Sequence, residues 1–218
     1  MDSIIDGSRL DPQLVFAWQA AHSVARHSPA PVHDRGGFRV DTHSEKEVKR
    51  WVFPRMCGGV HAIAREISMP RHYLKLCGFN QELRDALPDR WELQPENYFM
   101  RATATVGGIS ALPDGYRIEL QQDGAVAKAY VIGPDGDIAA NGTAAEAADV
   151  FVYDRIETAA NHRRKGLGIA VMSALASARK SVDGPQLLVA TEDGRALYAR
   201  LDWEVIAPFA TATIPDAE

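Results

Sequence analysis

Apolar and polar positions alternate with two different periods along this chain, and the period changes mark its elements. Asp11-Pro12-Gln13-Leu14-Val15-Phe16-Ala17-Trp18 opens a helix with Asp11 as N-cap and Pro12 in the first turn. That helix runs to about residue 27, where Ser28-Pro29-Ala30-Pro31 ends it. The pattern then predicts a short strand at 37–41 and a charged helix at 44–51, stopped at Pro54. A helix at 59–67, a strand at 72–77 and a helix at 81–87 follow. Beyond residue 96 strands dominate, at 97–104, 116–121, 125–132, 137–141 and 150–157. Pro134-Asp135-Gly136 is a hairpin turn and residues 105–115 a glycine-rich loop. Ile169, Met172 and Leu175-Ala176 recur at helical spacing, so a helix begins near Gly166. Gln186 to Thr191 reads as a further strand, and Gly194 to Trp203 as a short amphipathic helix running into a turn. The order is that of an α/β (α+β) chain. It is expected to divide into an N-terminal α/β region, 1–95, and a second domain, 96–218.

Between the buried strand Val150-Phe151-Val152-Tyr153-Asp154-Arg155-Ile156 and the helix near Gly166 lies Asn161-His162-Arg163-Arg164-Lys165-Gly166-Leu167-Gly168. Glycines let backbone N–H groups face outward, and a helix N-terminus adds partial positive charge, so this turn suits a phosphate or pyrophosphate. It lacks the Gly-Lys-Ser/Thr ending of a nucleotide P-loop and the three-glycine spacing of a dinucleotide fold. Arg163-x-x-Gly166-x-Gly168 resembles the Arg/Gln-x-x-Gly-x-Gly/Ala signature of the GCN5-related N-acetyltransferase (GNAT) superfamily. A second run, Leu197-Tyr198-x-x-Leu201-Asp202-Trp203, is similar to the family's Leu-Tyr-x-x-Leu-Gly-Phe, with Asp202 for Gly and Trp203 for Phe. Thr191 stands where Asn is common and Gly194 where Ala is. The resemblance is strong over residues 148–207 and weaker elsewhere.

The resemblance implies a GNAT fold, with a central mixed twisted sheet flanked by helices, to which this chain adds an N-terminal α/β half. It implies acetyl-coenzyme A as co-substrate. Its contacts would fall on Ile156, Glu157 and Thr158 at the strand end, on Arg163, Arg164, Lys165, Gly166, Leu167 and Gly168 in the loop, and on Thr191. A backbone N–H near Ile156-Glu157-Thr158 would meet the oxyanion, and Tyr198 matches the general acid, a phenol protonated at neutral pH. The alternative for Tyr198 is a tyrosine packed against the sheet. The base is not marked. On an alternating strand Val152, Asp154 and Ile156 share one face, and Tyr153, Arg155 and Glu157 the other. Asp154, among apolar neighbours, is a candidate proton acceptor with a raised pKa, and Glu157 is another. A solvated or salt-bridged carboxylate is the alternative for each, and His162 reads as a loop residue rather than a catalyst.

Two further patterns concern the N-terminal half. Leu74-Lys75-Leu76-Cys77, Leu83 to Leu87 and Trp91-Glu92-Leu93 echo Leu187 to Ala190, Leu197 to Leu201 and Trp203-Glu204-Val205. Arg55-Met56-Cys57-Gly58-Gly59 resembles a decayed copy of the Arg163 to Gly168 turn. Either two strand–helix–strand units share a hydrophobic pattern by chance, or the N-terminal half is a degenerate transferase-like module that no longer holds coenzyme A. The family domain also carries two helices between its first two strands, whereas only Gln122-Asp123-Gly124 separates 116–121 from 125–132. Either those helices are absent, or the equivalent first strand lies earlier and the N-terminal half supplies the acceptor wall. The second reading places the acceptor pocket between the halves.

Composition narrows the class. The chain has 218 residues, 46% of them hydrophobic, enough for one or two small domains. A net charge of −5 excludes a general nucleic-acid-binding role and makes the cations at 163–165 a local anion site. Two cysteines are too few for a disulfide framework or zinc site and suggest a reducing cytoplasm. No metal-ligand spacing, signal peptide or membrane-length apolar run is present. The expected function is an acyl-coenzyme-A-dependent N-acyltransferase, a monomer or homodimer, acting on a small-molecule or peptide amine. A non-catalytic acyl-coenzyme-A-binding or regulatory protein is the alternative.

Overall fold

The structure, a computed structural model, describes residues 10–104, 111–181 and 183–216. Helix α1 (Pro12–Ala25) starts where Asp11 accepts a hydrogen bond from the Gln13 N–H at 2.9 Å. Strands β1 (Val32–Asp34), β2 (Gly37–Val40) and β3 (Lys49–Phe53) follow, then α2 (Gly58–Glu66), β4 (His72–Cys77), α3 (Asn80–Ala86), β5 (Glu92–Leu93) and β6 (Asn97–Ala102). The second half contains β7 (Arg117–Asp123), β8 (Val126–Ile132), β9 (Ile138–Ala147), β10 (Val150–Thr158), α4 (Leu167–Ala176), β11 (Gln186–Ala190), α5 (Glu192–Ala199) and β12 (Trp203–Thr213). Part of the loop expected at 105–115 lies outside the described residues. No helix among the described residues is long and apolar enough to cross a membrane.

All the strands join one mixed sheet in the order β1-β2-β3-β4-β12-β6-β11-β10-β9-β8-β7, with β5 beside β12. The pairs β3/β4 and β10/β11 are parallel and the others antiparallel. The sheet therefore continues across residue 95 without a break. The halves interlock, because β6 leaves the first half to pair with β11, while β12 leaves the second to lie beside β4. Reading outward from the middle, β12-β4-β3 and β6-β11-β10 are equivalent with strand directions reversed. A pseudo-twofold axis normal to the sheet thus passes between β12 and β6.

Helix α1 covers one face, over Phe38, Val52, Phe99, Val152, Leu187 and Phe209. The other helices cover the opposite face. Alternation along β6 turns Phe99 toward α1 and Met100 toward α4, while Ala210 of β12 turns to the α2–α3 cluster. Strand β9 is longer than expected. Its Ala139, Ala140, Ala144 and Ala145 are buried, and only small residues fit between helices on both faces. Val171 and Leu175 of α4 and Ile156 press so closely on Gly142 that a Cβ there would stand 2.4–3.2 Å from their side chains.

One predicted helix is a strand. The charged stretch at 44–51 resolves into a turn, in which Ser44 Oγ accepts from the Glu47 N–H at 3.0 Å, followed by β3. Trp51, Val52 and Phe53 suit a strand buried on both faces, and Arg50 is drawn inside by His22 of α1 and Glu47 of the preceding turn. As the three-residue spacing implied, no helix lies between β7 and β8, and β7 turns directly into β8 at the sheet edge. Helix α1 from the N-terminal half packs on β9 and β10 instead.

Candidate functional site

Strands β10 and β11 pair only at Phe151↔Gln186 and Val152↔Leu187. Beyond these residues β10 keeps its bonds to β9 as far as Thr158, and β11 keeps its bonds to β6 as far as Ala190. The two parallel strands therefore part into a notch. Just past the split, β10 carries a bulge. Asp154 pairs with Thr143 and Glu157 with Asn141, so Arg155 and Ile156 together oppose Gly142. Arg155 takes a left-handed backbone, φ 53°. The bulge resets the alternation, so Ile156 shares the α4 face with Phe151 and Tyr153 rather than the face of Asp154 expected from strict alternation.

Asp154 does not lie among apolar groups. Its carboxylate receives Arg26 Nε and Nη2 at 2.7 Å each, with His22 Nε2 at 3.7 Å and Arg155 Nε at 3.9 Å. Glu157 is exposed at the end of β10. Both carboxylates flank the notch, but Asp154 is already engaged through both oxygens.

The basic turn follows β10 on the α4 side. A single 3-10 turn, Ala160–His162, leads into exposed Arg163 and Arg164, then Gly166 caps α4 in the left-handed conformation at φ 75°. Lys165 Nζ donates to Tyr116 Oη at 2.6 Å and lies over its ring. His162 is buried and anchors the turn, its Nδ1 2.9 Å from Tyr116 Oη and its Nε2 3.0 Å from Asp137. Buried Leu167 fixes the first turn of α4 to the core. The first N–H groups of that helix have no acceptor within it. A Cβ on Gly168 would meet only Leu197 at 3.7 Å and Thr158 at 3.8 Å, so the chain's own packing does not require glycine there. The missing side chain keeps open a slot between the end of β10 and α5. That slot, an exposed cationic turn and a free helix N-terminus fit a pyrophosphate and the arm attached to it.

Thr191 caps α5 by accepting from the Gly194 N–H at 3.2 Å. Tyr198, on the same helix, is buried beside Trp203, ring centroids 6.0 Å apart, and burial pushes its phenol up to about 12. The Trp203 indole Nε1 is also buried and lacks a partner among the described residues. The structure thus gathers Thr158, Gly168, Tyr198 and the turn at 163–166 on one face of the notch.

The opposite face holds groups not singled out from the sequence. A cavity of about 210 Å³ there is lined by α1, β4, β6, β10, β11 and β12, drawing on both halves. Arg50 Nη1 stands 3.1 Å from His22 Nδ1 and pairs through Nε with Glu47. Burial, then the cations Arg26, Arg50, Lys75 and Arg155, hold His22 well below the usual histidine range, so it is neutral. Burial likewise lowers Lys75 to about 8. Trp18, His22 and Arg26 recur every fourth residue, which marks a polar stripe on the buried face of α1. Lys75 interrupts an apolar strand. Those two irregularities were the available signals.

No protein-family model and no curated protein sequence matches the chain. Solved structures do. A GCN5-related N-acetyltransferase from Kribbella flavida aligns with TM-score 0.65 at 14% identity, covering 96% of this chain and 98% of that one. One from Sphaerobacter thermophilus gives 0.55 at 11% identity over 84% and 78%. A tandem GNAT protein from the clavulanic acid biosynthesis pathway gives 0.52 at 12% identity over 98% and 90%. At these identities the likeness is one of architecture, and the architecture of this chain is the fold of the GCN5-related N-acetyltransferases.

Proposed function

We propose that the chain is an acyl-coenzyme-A-dependent N-acyltransferase, using acetyl-coenzyme A, in which the donor enters from the α4 face and the amine from the α1 face. One observation carries the reading. The notch between β10 and β11 opens directly onto both the free N-terminus of α4 and a cavity on the other side of the sheet. Arg163, Arg164 and the first N–H groups of α4 hold the pyrophosphate, and Lys165 adds charge from its place on Tyr116. The bulge at Arg155–Ile156 turns backbone N–H groups into the notch, where they meet the oxyanion that forms as the amine attacks the thioester. Tyr198 keeps its proton at neutral pH and donates it to the departing thiolate. Glu157, exposed at the notch, takes the amine proton directly or through water, while Asp154 holds Arg26. The chain works in a reducing cytoplasm, as monomer or homodimer, on a small-molecule or peptide amine. Its two halves are copies of a repeat in which β6 is the counterpart of β12.

Calorimetric titration with acetyl-coenzyme A tests the donor site. Arg164→Glu combined with Gly166→Glu is expected to weaken binding at least about 100-fold while the thermal transition stays cooperative. Unchanged affinity would refute the assignment. Tyr198→Phe is expected to lower turnover roughly 100-fold with little loss of coenzyme affinity, read as thiol release over a panel of amines. A variant as fast as wild type removes the acid role. Tight coenzyme binding without thiol release from any amine would identify a non-catalytic binding protein instead.

A further inference from the structure

We infer that the acceptor is a small amine that also carries a carboxylate, which Lys75 receives at the far side of the cavity from the notch. The inference rests on the acyl transfer proposed above and names its substrate class.

The charges around the cavity do not balance. Arg26 is paired with Asp154 through two hydrogen bonds, and Arg50 with Glu47. Lys75 alone among the cavity-lining cations has no ion-pair partner among the described residues; its ammonium lies over the Tyr73 ring at 5.7 Å. It projects from the middle of β4 on the same face as Cys77, toward α1, and is half-buried there. Neutral His22 contributes no compensating charge and no further cation. Burying an uncompensated cation costs free energy that a bound anion returns.

The rest of the lining limits the ligand. Trp18 and Phe209 form an aromatic wall, ring centroids 5.5 Å apart, and Asn97 and Thr211 place an amide and a hydroxyl near Lys75 on the two strands that separate β4 from β11. Val189 and Thr191 mark the notch end. A space of about 210 Å³ holds a molecule of amino-acid size, not a folded protein segment. Diamines and polyamines would bring a second cation against Lys75 and Arg26, and like charges repel. An amino acid or short amino carboxylate instead sets its anion at Lys75 and its amine at the notch. The amine nitrogen then forms a bond to the thioester carbonyl carbon, and the carbon–sulfur bond breaks. The thiolate leaves with a proton from Tyr198, while the attacking nitrogen gives up its own to Glu157, directly or through water.

Matched acceptors test this with the full chain and acetyl-coenzyme A. β-Alanine and γ-aminobutyrate are compared with propylamine, butylamine and β-alaninamide, and phosphoethanolamine is included, with thiol release as the readout. The expected result is a kcat/KM at least tenfold higher for the carboxylates than for their neutral partners. In Lys75→Gln that ratio falls toward one, mainly through KM, and calorimetry confirms that the variant still binds coenzyme A. Equal rates for neutral and acidic amines would overturn the inference. So would a carboxylate preference that survives in Lys75→Gln, or a phosphate-bearing amine that outruns both carboxylates. Should no amine release thiol, the acyl-transfer reading fails separately, and γ-aminobutyrate is titrated into the protein directly. Binding that Lys75→Gln abolishes supports the anion pocket, and no binding refutes it.

Discussion

Helices α2 and α4 each follow a strand of a parallel pair and carry glycine as their second residue, Gly59 and Gly168, and each begins at the same place relative to the pseudo-twofold axis. Their N-termini are used differently. At α2, the β1–β2 turn fills the space, and a Cβ on Gly59 would stand 1.8 Å from the Arg35 carbonyl oxygen. Arg35 is further tied to Glu66 at 2.6 Å. At α4, Gly168 faces only ordinary contacts, and Arg163 and Arg164 are exposed. The parent strands differ in the same sense. β3 and β4 stay paired over five residues, Lys49↔His72 to Phe53↔Leu76, whereas β10 and β11 part after two. A helix N-terminus accepts a backbone carbonyl as readily as a phosphate oxygen. One half has therefore closed the approach to its helix N-terminus with its own chain, and the other has left that approach open.

The largest effect expected from this contrast is on the closed side. Gly59→Ala forces the Arg35 backbone away and should lower stability by about 3 kcal/mol, measured by chemical denaturation. A loss under about 1 kcal/mol would mean that the turn is free to move, and the closed half would no longer differ from the open one. On the open side the same substitution should act oppositely. Gly168→Ala fits the protein and should keep stability within about 0.5 kcal/mol, since a helical alanine is favoured over glycine. It fills part of the slot, however, and should weaken coenzyme A binding about tenfold, or about 1.4 kcal/mol. Unaltered affinity would move the coenzyme's path away from the gap between Thr158 and Leu197.

Much of this architecture was legible because it rests on local chemistry. Asp11 and Pro12 start α1, β4 matches its alternation from His72 to Cys77, and Gly166 caps α4 where the turn signature placed it. The misreadings share a physical cause, namely partners distant in sequence. Residues 44–51 are charged enough to read as a surface helix, yet Arg50 is buried because His22 of α1 and Glu47 receive it. Ile156 was placed with Asp154 because alternation contains no bulge, and the bulge exists because Gly142 on β9 leaves room for it. The motif for the donor lies within one strand–turn–helix unit and was visible. The acceptor cavity draws on six elements from both halves, so its local traces are confined to the stripe on α1 and Lys75 within β4.

The smallest expected effect separates the two inner parallel strands. Toward α1 β11 turns the apolar Leu187 and Val189, whereas β4 turns Lys75 and Cys77. If Lys75 were only a structural cation, its charge would be compensated within the fold. Instead burial, then Arg50, lowers it to about 8, against the partial compensation of Glu47. The protonated form is thus disfavoured in the folded chain relative to the unfolded one, where the value is near ~10.4. The penalty is complete below about pH 8 and is relieved as pH rises toward the unfolded value, because between the two the unfolded state binds the additional proton. Lys75→Met should therefore be more stable than wild type near neutral pH, by a margin that shrinks by the order of 1 kcal/mol between about pH 7 and about pH 9. Denaturant titrations of both proteins across that range give the difference directly, with other lysines cancelling. A margin that is constant with pH would show that Lys75 is compensated by the chain itself, and the closed half would then contribute packing to the cavity but no charge.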